Sequence, residues 1–229
     1  MIVQKLALFD LDDTLVDRLA AFRRWVAEFT GRRGLSKQDA AWMIELDADG
    51  SLPTEEFFAA VHERFGVPEP VDMLWDAYRV RMPELVVCPR PVLRGLRRLR
   101  KAGWRVGIVT NGTAAHQRGK IYRSGLVDVV DGWAISGEER SGKPGPQLFQ
   151  IAARRCEANV RDGGWMIGDD PVDDIVGGVF AGLRTIWIDR GIRPWQGLPD
   201  LPGLPAPPGL RPDHVVTDTV GAIKVLLGQ

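Results

Sequence analysis

Short apolar runs alternate with helical patterns along most of the chain. The runs are more continuous than alternating, which is typical of parallel strands covered on both faces. The patterns between most of them predict amphipathic helices of crossover length. We assign strands to residues 6–9, 105–109, 132–135, 165–167, 185–188 and 214–216, and crossover helices to 91–102, 114–124, 147–155 and 173–181. This order predicts an open α/β sheet with right-handed crossovers.

Residues 17–88 interrupt this order. They contain four helical patterns and no convincing strand, with Ser36 and Thr54 as N-cap candidates. We therefore predict an inserted α-helical domain at 17–88, and a catalytic core formed by residues 1–16 and 89–229. A proline-rich stretch at 194–212 is too rich in proline for a helix or a central strand, so we predict an exposed surface loop within the core.

The charge balance limits the class of partner. Lys plus Arg and Asp plus Glu both number 30, so no net basic field favours a nucleic acid polymer or an anionic membrane. The two cysteines, Cys88 and Cys156, form no paired framework and are typical of a reducing compartment. No stretch has the roughly 18 uncharged apolar residues of a membrane span, and the N-terminal residues lack a signal-peptide pattern. We expect a soluble cytoplasmic protein.

Three aspartates follow the first predicted strand within four positions. Alternation along an extended chain allows Asp10 and Asp12 to face one side while Asp13 faces the other. Two carboxylates in one pocket are unfavourable unless one is protonated or a cation lies between them. Aspartate oxygens are ligands that Mg²⁺ prefers, so we predict a Mg²⁺ site here. For Asp13 or Thr14, capping of the following helix is the alternative.

Three further strand ends carry polar groups. Thr110, Asn111 and Gly112 close the second strand before a helix, where hydroxyl, amide and backbone N–H groups can bind phosphate. Lys143 precedes a proline that we expect to start a helix, which would hold its ammonium at a defined loop position. Four aspartates fall within 169–174, more than a helix start needs for its dipole.

Together these strand ends strongly resemble the haloacid dehalogenase-like superfamily. The first motif is read as Asp10-Leu11-Asp12-Asp13-Thr14, the second as Thr110 in TNG and the third as Lys143 in GKPGP. The fourth fits Asp174, with Asp173 as the alternative spacing. The resemblance implies a three-layer Rossmann-like parallel sheet with an inserted helical cap of the small subclass.

The resemblance also implies a phosphatase mechanism. Asp10 would attack phosphorus and form an aspartyl-phosphate, and Asp12 would act as general acid and then as general base. Dehalogenases that attack carbon carry another residue in place of Asp12, so its presence favours phosphate chemistry. Thr110 and Lys143 would bind the transferring oxygens.

The same resemblance implies a metal site. Mg²⁺ would be held by Asp10, the backbone carbonyl of Asp12 and Asp169, with Asp174 in support. The implied substrate is a small phosphorylated metabolite such as a nucleotide, flavin phosphate or sugar phosphate, and the enzyme a monomer or homodimer.

Two alternatives stay open at this point: a phosphomutase with the same motifs, and a non-catalytic module on the same fold. Specificity should lie in the helical insertion. Its candidate residues are Arg18, Arg23, Arg79, Arg81, Trp25, Trp42, Trp75 and Tyr78, although we expect most of the aromatic residues to form its core.

Overall fold

Six strands form one sheet at the centre of the α/β core. The computed structural model describes residues 4–192, 195 and 209–229, and within them every neighbouring pair of strands is parallel. The strands are β1 (Leu6–Phe9), β2 (Arg105–Thr110), β3 (Gly132–Ile135), β4 (Trp165–Gly168), β5 (Arg184–Ile188) and β6 (His214–Val216). Each predicted apolar run forms one of them, with ends that differ by no more than one residue.

The strand order is β3-β2-β1-β4-β5-β6. The chain therefore moves outward from β1 through β2 to β3, and then outward on the other side from β4 through β5 to β6. The direction changes between β1 and β4. In open α/β sheets a ligand binds beyond the carboxyl ends of the strands at such a switch point, so the topology places a candidate site at the ends of these two strands.

Helices account for most of the remaining described residues. The α-helices are α1 (Arg18–Arg33), α2 (Lys37–Leu46), α3 (Thr54–Phe65), α4 (Val71–Leu85), α5 (Arg90–Lys101), α6 (Ala114–Arg123), α7 (Ser136–Glu139), α8 (Pro146–Arg155), α9 (Gly177–Phe180) and α10 (Thr219–Leu226). Short 3-10 helices lie at Ala48–Gly50, Leu126–Asp128 and Val160–Asp162, and a π-helix at Pro171–Val176. None of these helices is long and apolar enough to cross a bilayer.

Both faces of the sheet are covered. Leu6 and Leu8 of β1 pack in one cluster with α8, through Leu148 of that helix. Ala7 and Phe9 alternate with them and are also fully buried. Helices α5 and α10 pack on each other and contact β2 and β5. The three-layer Rossmann-like α/β fold with an inserted helical domain is confirmed.

The segment after β4 differs from the predicted helix at 173–181. A π-helix begins earlier, at Pro171, and continues as α9. Asp170 caps it, because its Oδ1 accepts from the Val172 and Asp173 N–H groups, both at 2.8 Å. A Cβ atom on Gly168 would lie 2.0 Å from Oδ2 of Asp174. Glycine at 168 therefore allows the wide turn to bring Asp174 back over the end of β4.

The chain divides into two compact units, Met1–Val16 with Cys88–Gln229, and Asp17–Val87. The second is the helical unit, formed by α1 to α4. Its core is aromatic: the ring of Trp25 lies 4.9 Å from that of Tyr78 and 5.6 Å from that of Phe58, centroid to centroid. Trp25 and Tyr78 are buried, so these two specificity candidates serve as core residues.

The arginine candidates of the helical unit are largely paired within it. Arg18 forms an ion pair with Asp47, and Arg81 donates to Glu28 at 2.9 and 2.6 Å. Arg79 contacts Asp76 at 2.5 Å. Such pairing explains these side chains without a ligand.

The helix caps test three sequence predictions. Ser36 caps α2 in a complete capping box with Asp39, as predicted. Thr54 does not cap α3, because Pro53 holds the cap position and Thr54 is the first helical residue. Asp17 caps α1, so capping by Asp13 or Thr14 was wrong. Most of the predicted 194–212 loop lies outside the described residues.

Candidate active site

The carboxyl ends of β1 and β4 bring three carboxylates together. Asp10 follows β1 directly, and its N–H donates to the carbonyl of Ile167 in β4 at 2.8 Å. Asp169 follows β4, and Asp174 returns from the π-helix. One oxygen of each of Asp10, Asp169 and Asp174 lies within 4.8 Å of the others. The structure thus brings together three of the residues predicted for the metal site.

Lys143 supplies positive charge to this cluster. Its Nζ donates to Oδ1 of Asp10 at 2.6 Å and to Oδ1 of Asp174 at 2.7 Å. The side chain of Lys143 is only 4% exposed, so the ammonium depends on these two carboxylates for its solvation. Lys143 therefore joins the first motif to the fourth.

Burial makes the charged forms of the carboxylates unfavourable. It raises the pKa of Asp10 and that of Asp174 above their ordinary values, although Lys143 opposes both shifts. Burial and the neighbouring Asp10 raise the pKa of Asp169 to about 7, against Arg190. For Lys143 burial alone would lower the pKa, but the charges of Asp10 and Asp174 outweigh it and raise it.

The cluster has the properties of a divalent cation site. Its donors are carboxylate oxygens, the hard ligands that suit Mg²⁺. Among the described residues, the cations in direct contact with the three carboxylates are Lys143 and Arg190, whose Nη1 lies 3.0 Å from Oδ2 of Asp169. A bound cation would stabilise the charged carboxylates and so oppose the rise in their pKa values that burial causes. The residues therefore fit Mg²⁺.

The two aspartates that compete for the fourth motif have different surroundings. Asp174 is fully buried, contacts Lys143, and accepts at Oδ2 from the Asp170 N–H at 3.0 Å. Asp173 accepts at Oδ2 from Nδ2 of Asn111 at 2.9 Å and does not belong to the three-carboxylate cluster. This geometry favours Asp174, the spacing preferred from the sequence.

Asn111 and Gly112 hold neighbouring loops in place. Asn111 accepts from the Lys143 N–H at 2.9 Å and donates to the Lys143 carbonyl at 3.1 Å. The Gly112 N–H donates to Oγ of Ser136 at 2.9 Å. These groups are engaged with the protein itself, so a direct contact of either residue with phosphate stays a prediction and would require these bonds to exchange.

Asp12 has different partners from Asp10. Lys120 Nζ donates to both its oxygens, at 2.8 Å to Oδ1 and 2.7 Å to Oδ2. Gln117 Nε2 donates to Oδ2 of Asp12 at 2.9 Å and to Oγ1 of Thr110 at 2.7 Å. The acid–base candidate and the candidate phosphate-binding hydroxyl are therefore linked through one amide group.

Asp13 turns toward other groups. Its φ of +58° lies in the left-handed region, and its Oδ2 lies 3.5 Å from Nη1 of Arg190. Thr14 donates to Oδ1 of Asp169 at 3.3 Å. The three carboxyl groups of the first motif thus contact three different cations: Lys143 for Asp10, Lys120 for Asp12 and Arg190 for Asp13.

The sequence predicted no catalytic or binding role for Gln117, Lys120 or Arg190, although Gln117 and Lys120 follow the TNG turn in a pattern that resembles small-metabolite phosphatases. A signal existed for the first two, because α6 has few large apolar residues and Gln117 lies one turn before both Lys120 and buried Ile121. Polar residues on the buried face of a helix next to a candidate site need a partner. Arg190, beyond the end of β5, gives no comparable signal in the sequence.

Comparisons with known proteins show which family and fold this chain resembles. The family model of haloacid dehalogenase-like hydrolases matches residues 4–182. Phosphoserine phosphatase of Thermus thermophilus is 31% identical over 86% of this chain and 94% of its own, and glyceraldehyde 3-phosphate phosphatase of Pyrococcus abyssi is 30% identical over 82% of each. Among solved structures, the HAD-hydrolase YfnB from Bacillus subtilis, determined bound to magnesium, has a TM-score of 0.71 at 20% identity over 98% of this chain and 99% of its own. The structural match supports the fold.

Proposed function

We propose that this chain, which belongs to the haloacid dehalogenase-like hydrolase family, is a Mg²⁺-dependent phosphatase of small metabolites. The proposal proceeds from its being a phosphoric monoester hydrolase. The observation that carries the proposal is the convergence of Asp10, Asp169 and Asp174 around the Lys143 ammonium at the switch point of the sheet. Such a buried group of carboxylates would be a poor structural element unless it served chemistry.

In the first proposed step a carboxylate oxygen of Asp10 attacks the phosphorus of the substrate. The Asp10 O–P bond forms and the bond from phosphorus to the ester oxygen breaks, which gives an aspartyl-phosphate. Asp12 donates its proton to the departing ester oxygen, so the leaving group departs as an alcohol. Lys143 holds Oδ1 of Asp10 at 2.6 Å and thereby fixes the orientation of the nucleophile.

In the second proposed step water hydrolyses the aspartyl-phosphate. Asp12 takes a proton from the water as its oxygen bonds to phosphorus, and the Asp10 O–P bond breaks. Inorganic phosphate leaves, Asp10 is restored as a carboxylate, and Asp12 again carries the proton needed for the next substrate.

The phosphoryl group needs charge neutralisation and positioning more than covalent assistance. We assign its oxygens to Lys143 and to the hydroxyl of Thr110. Asp10, Asp169 and Asp174, with the backbone carbonyl of Asp12, would hold Mg²⁺. When bound, the ion would neutralise part of the negative charge on the reacting groups.

The substrate class is a small phosphorylated metabolite. The two relatives carry names that specify phosphoserine and glyceraldehyde 3-phosphate, and these compounds share little beyond a phosphate monoester on a small polar body. The proposed range therefore keeps sugar phosphates, and the nucleotides and flavin phosphates suggested by the sequence. We also retain the proposal of a cytoplasmic monomer or homodimer.

The test is phosphate release from p-nitrophenyl phosphate by the purified protein, with Mg²⁺ and with a chelator. We expect turnover that requires Mg²⁺. Asp10→Asn should lower kcat/KM by about 10⁴-fold or more, because it removes the nucleophile, while circular dichroism shows an unchanged fold. Turnover retained in Asp10→Asn would overturn the mechanism. Conversion of a sugar phosphate to its isomer that outpaces phosphate release would instead identify a phosphomutase.

Asp12 and Asp13 form a matched pair for the second test. Asp12→Asn should lower kcat about 10²–10⁴-fold, since it removes the general acid and base. Asp13→Asn keeps a polar group near Arg190 and should reduce kcat less than about tenfold. Equal losses in the two variants would contradict the assignment of acid–base chemistry to Asp12 alone.

A further inference from the structure

Lys120 is a buried cation that the proposed mechanism does not use. It lies on α6, its side chain is 3% exposed, and both oxygens of Asp12 accept from its ammonium at 2.8 and 2.7 Å. The Asp12 side chain retains 24% exposure. The ammonium therefore reaches Asp12 from the protein interior, while the carboxyl group keeps its accessible part.

Gln117 lies one helical turn before Lys120 and completes this contact. Its amide nitrogen donates both to Asp12 at 2.9 Å and to the hydroxyl of Thr110 at 2.7 Å. Each of these distances is that of a well-formed hydrogen bond. The distance between the carboxyl group of Asp12 and the hydroxyl at the end of β2 is therefore fixed by a single amide group.

Gly112 gives Gln117 the room that this contact requires. A Cβ atom at position 112 would lie 2.9 Å from Cγ of Gln117, and the φ of Gly112 is +137°. A side chain there would be strained by the backbone conformation and would displace Gln117. The glycine of the TNG sequence thus serves the approach of Gln117, besides forming the turn.

A buried ammonium is a poor choice for packing alone. Removing it from water is strongly unfavourable, and an apolar side chain of similar volume fills the same space without that penalty. In exchange, hydrogen bonds from Lys120 and Gln117 to one carboxyl group fix the orientation of that group. Orientation matters for Asp12, because a general acid must reach the leaving oxygen within hydrogen-bond distance.

We infer that Lys120 and Gln117 are positioning residues that hold the Asp12 carboxyl group in the orientation needed to protonate the leaving group. The inference rests on the proposed phosphatase function and deepens it. It assigns no contact between Lys120 and substrate. Its consequence is specific: loss of Lys120 should impair the step in which the leaving group departs, and should do so most for poor leaving groups.

The experiment measures kcat/KM for substituted phenyl phosphates that differ in leaving-group basicity but little in size. This parameter reports the steps up to departure of the leaving group.

In Lys120→Met we expect kcat/KM to fall about threefold for p-nitrophenyl phosphate and about 30-fold for phenyl phosphate, since a weakly basic leaving group needs little protonation. Lys120→Arg, which keeps the donors, should restore part of the loss. Lys101→Met, at the exposed end of α5, is the matched control and should behave as the wild type.

A purely structural role for Lys120 would lower kcat/KM equally for all these esters, and that result would overturn the inference. If Lys120→Met does not fold, Gln117→Met provides the same test, with an expected leaving-group dependence in the same direction. Failure of the proposed function has a different signature: the wild-type protein would release no phosphate, or Asp10→Asn would remain active. The positioning role alone would be rejected if the wild type were active, Asp10→Asn were inactive, and Lys120→Met lost kcat/KM equally for all the esters.

Discussion

The ion pairs of the helical unit and the buried carboxylates at the carboxyl edge of the sheet differ in how their surroundings affect the charged form. In the helical unit carboxylates pair with arginines, as Glu28 does with Arg81 and Glu69 with Arg33, both at 2.6 Å. Hydrogen bonds from Arg81 lower the pKa of Glu28. At the sheet edge burial instead raises the pKa values of Asp10 and its neighbours. Arg81 thus stabilises the charged form of Glu28, whereas burial destabilises the charged forms of Asp10, Asp169 and Asp174.

This difference distinguishes charged residues that serve the fold from charged residues that serve a functional site. Partly exposed pairs need nothing beyond each other, and they contribute little to stability. Buried carboxylates that raise one another's pKa values lower the stability of the fold, and such clusters are characteristic of functional sites. The comparison predicts that charge removal should have large effects at the sheet edge and small effects at the partly exposed pairs of the helical unit.

After loss of the nucleophile itself, the largest expected effect at the sheet edge is that of Lys143→Met. It removes the ammonium between Asp10 and Asp174 and leaves both carboxylates buried without it. We expect kcat/KM to fall about 10³-fold, because the group that orients the nucleophile and binds phosphate is lost. The free energy of unfolding should fall by about 3–5 kcal/mol, the range for breaking a buried pair. Steady-state kinetics and urea titration measure the two effects.

Arg81→Met is the control in the helical unit. The Arg81 side chain is 39% exposed, so its removal should change the free energy of unfolding little and leave the rate constants for p-nitrophenyl phosphate unchanged. If Arg81→Met destabilised the protein as much as Lys143→Met, the contrast between the two regions would be wrong.

Much of this contrast was visible in the sequence. The strands follow from continuous apolar runs, and Asp10, Lys143 and Asp169 follow from the rule that parallel strands end at one edge. The partners of Asp12 and Asp13 were not predicted, because Lys120 and Arg190 meet them only through tertiary packing. The π-helix was also missed. It depends on Asp170 as a cap and on the space above Gly168. Neither feature produces a periodic pattern of apolar residues that the sequence could show.

The next effect compares two adjacent residues, Asp174 and Asp173. Asp174→Asn should weaken Mg²⁺ binding about 10–100-fold, since it removes a carboxylate from the cluster and a partner from Lys143. Asp173→Asn leaves the cluster intact and should change Mg²⁺ affinity by less than about threefold. Isothermal titration with Mg²⁺ measures both. A larger loss in Asp173→Asn would reverse the choice between the two spacings of the fourth motif.

The smallest effect is a pH dependence of stability set by Asp169. Its pKa is about 7 in the folded chain against an ordinary 3.8, so the folded protein binds more protons than the unfolded one between these values. Without Mg²⁺ its contribution to the free energy of unfolding is therefore fully present below about pH 4 and is lost as pH rises through about 7. Mg²⁺ at ten times its Kd should restore about 1.4 kcal/mol at pH 8, and less at pH 5.5, where protons compete for the carboxylates.

Thermal unfolding of the wild type and of Asp169→Asn, each at both pH values with and without Mg²⁺, isolates this contribution. The substitution removes the titrating group near Arg190 but keeps a polar side chain of the same size. In Asp169→Asn the loss of stability between pH 5.5 and pH 8 should shrink, and the response to Mg²⁺ should weaken. An unchanged pH dependence in that variant would mean that the buried carboxylates do not oppose folding, and the contrast with the paired charges of the helical unit would then disappear.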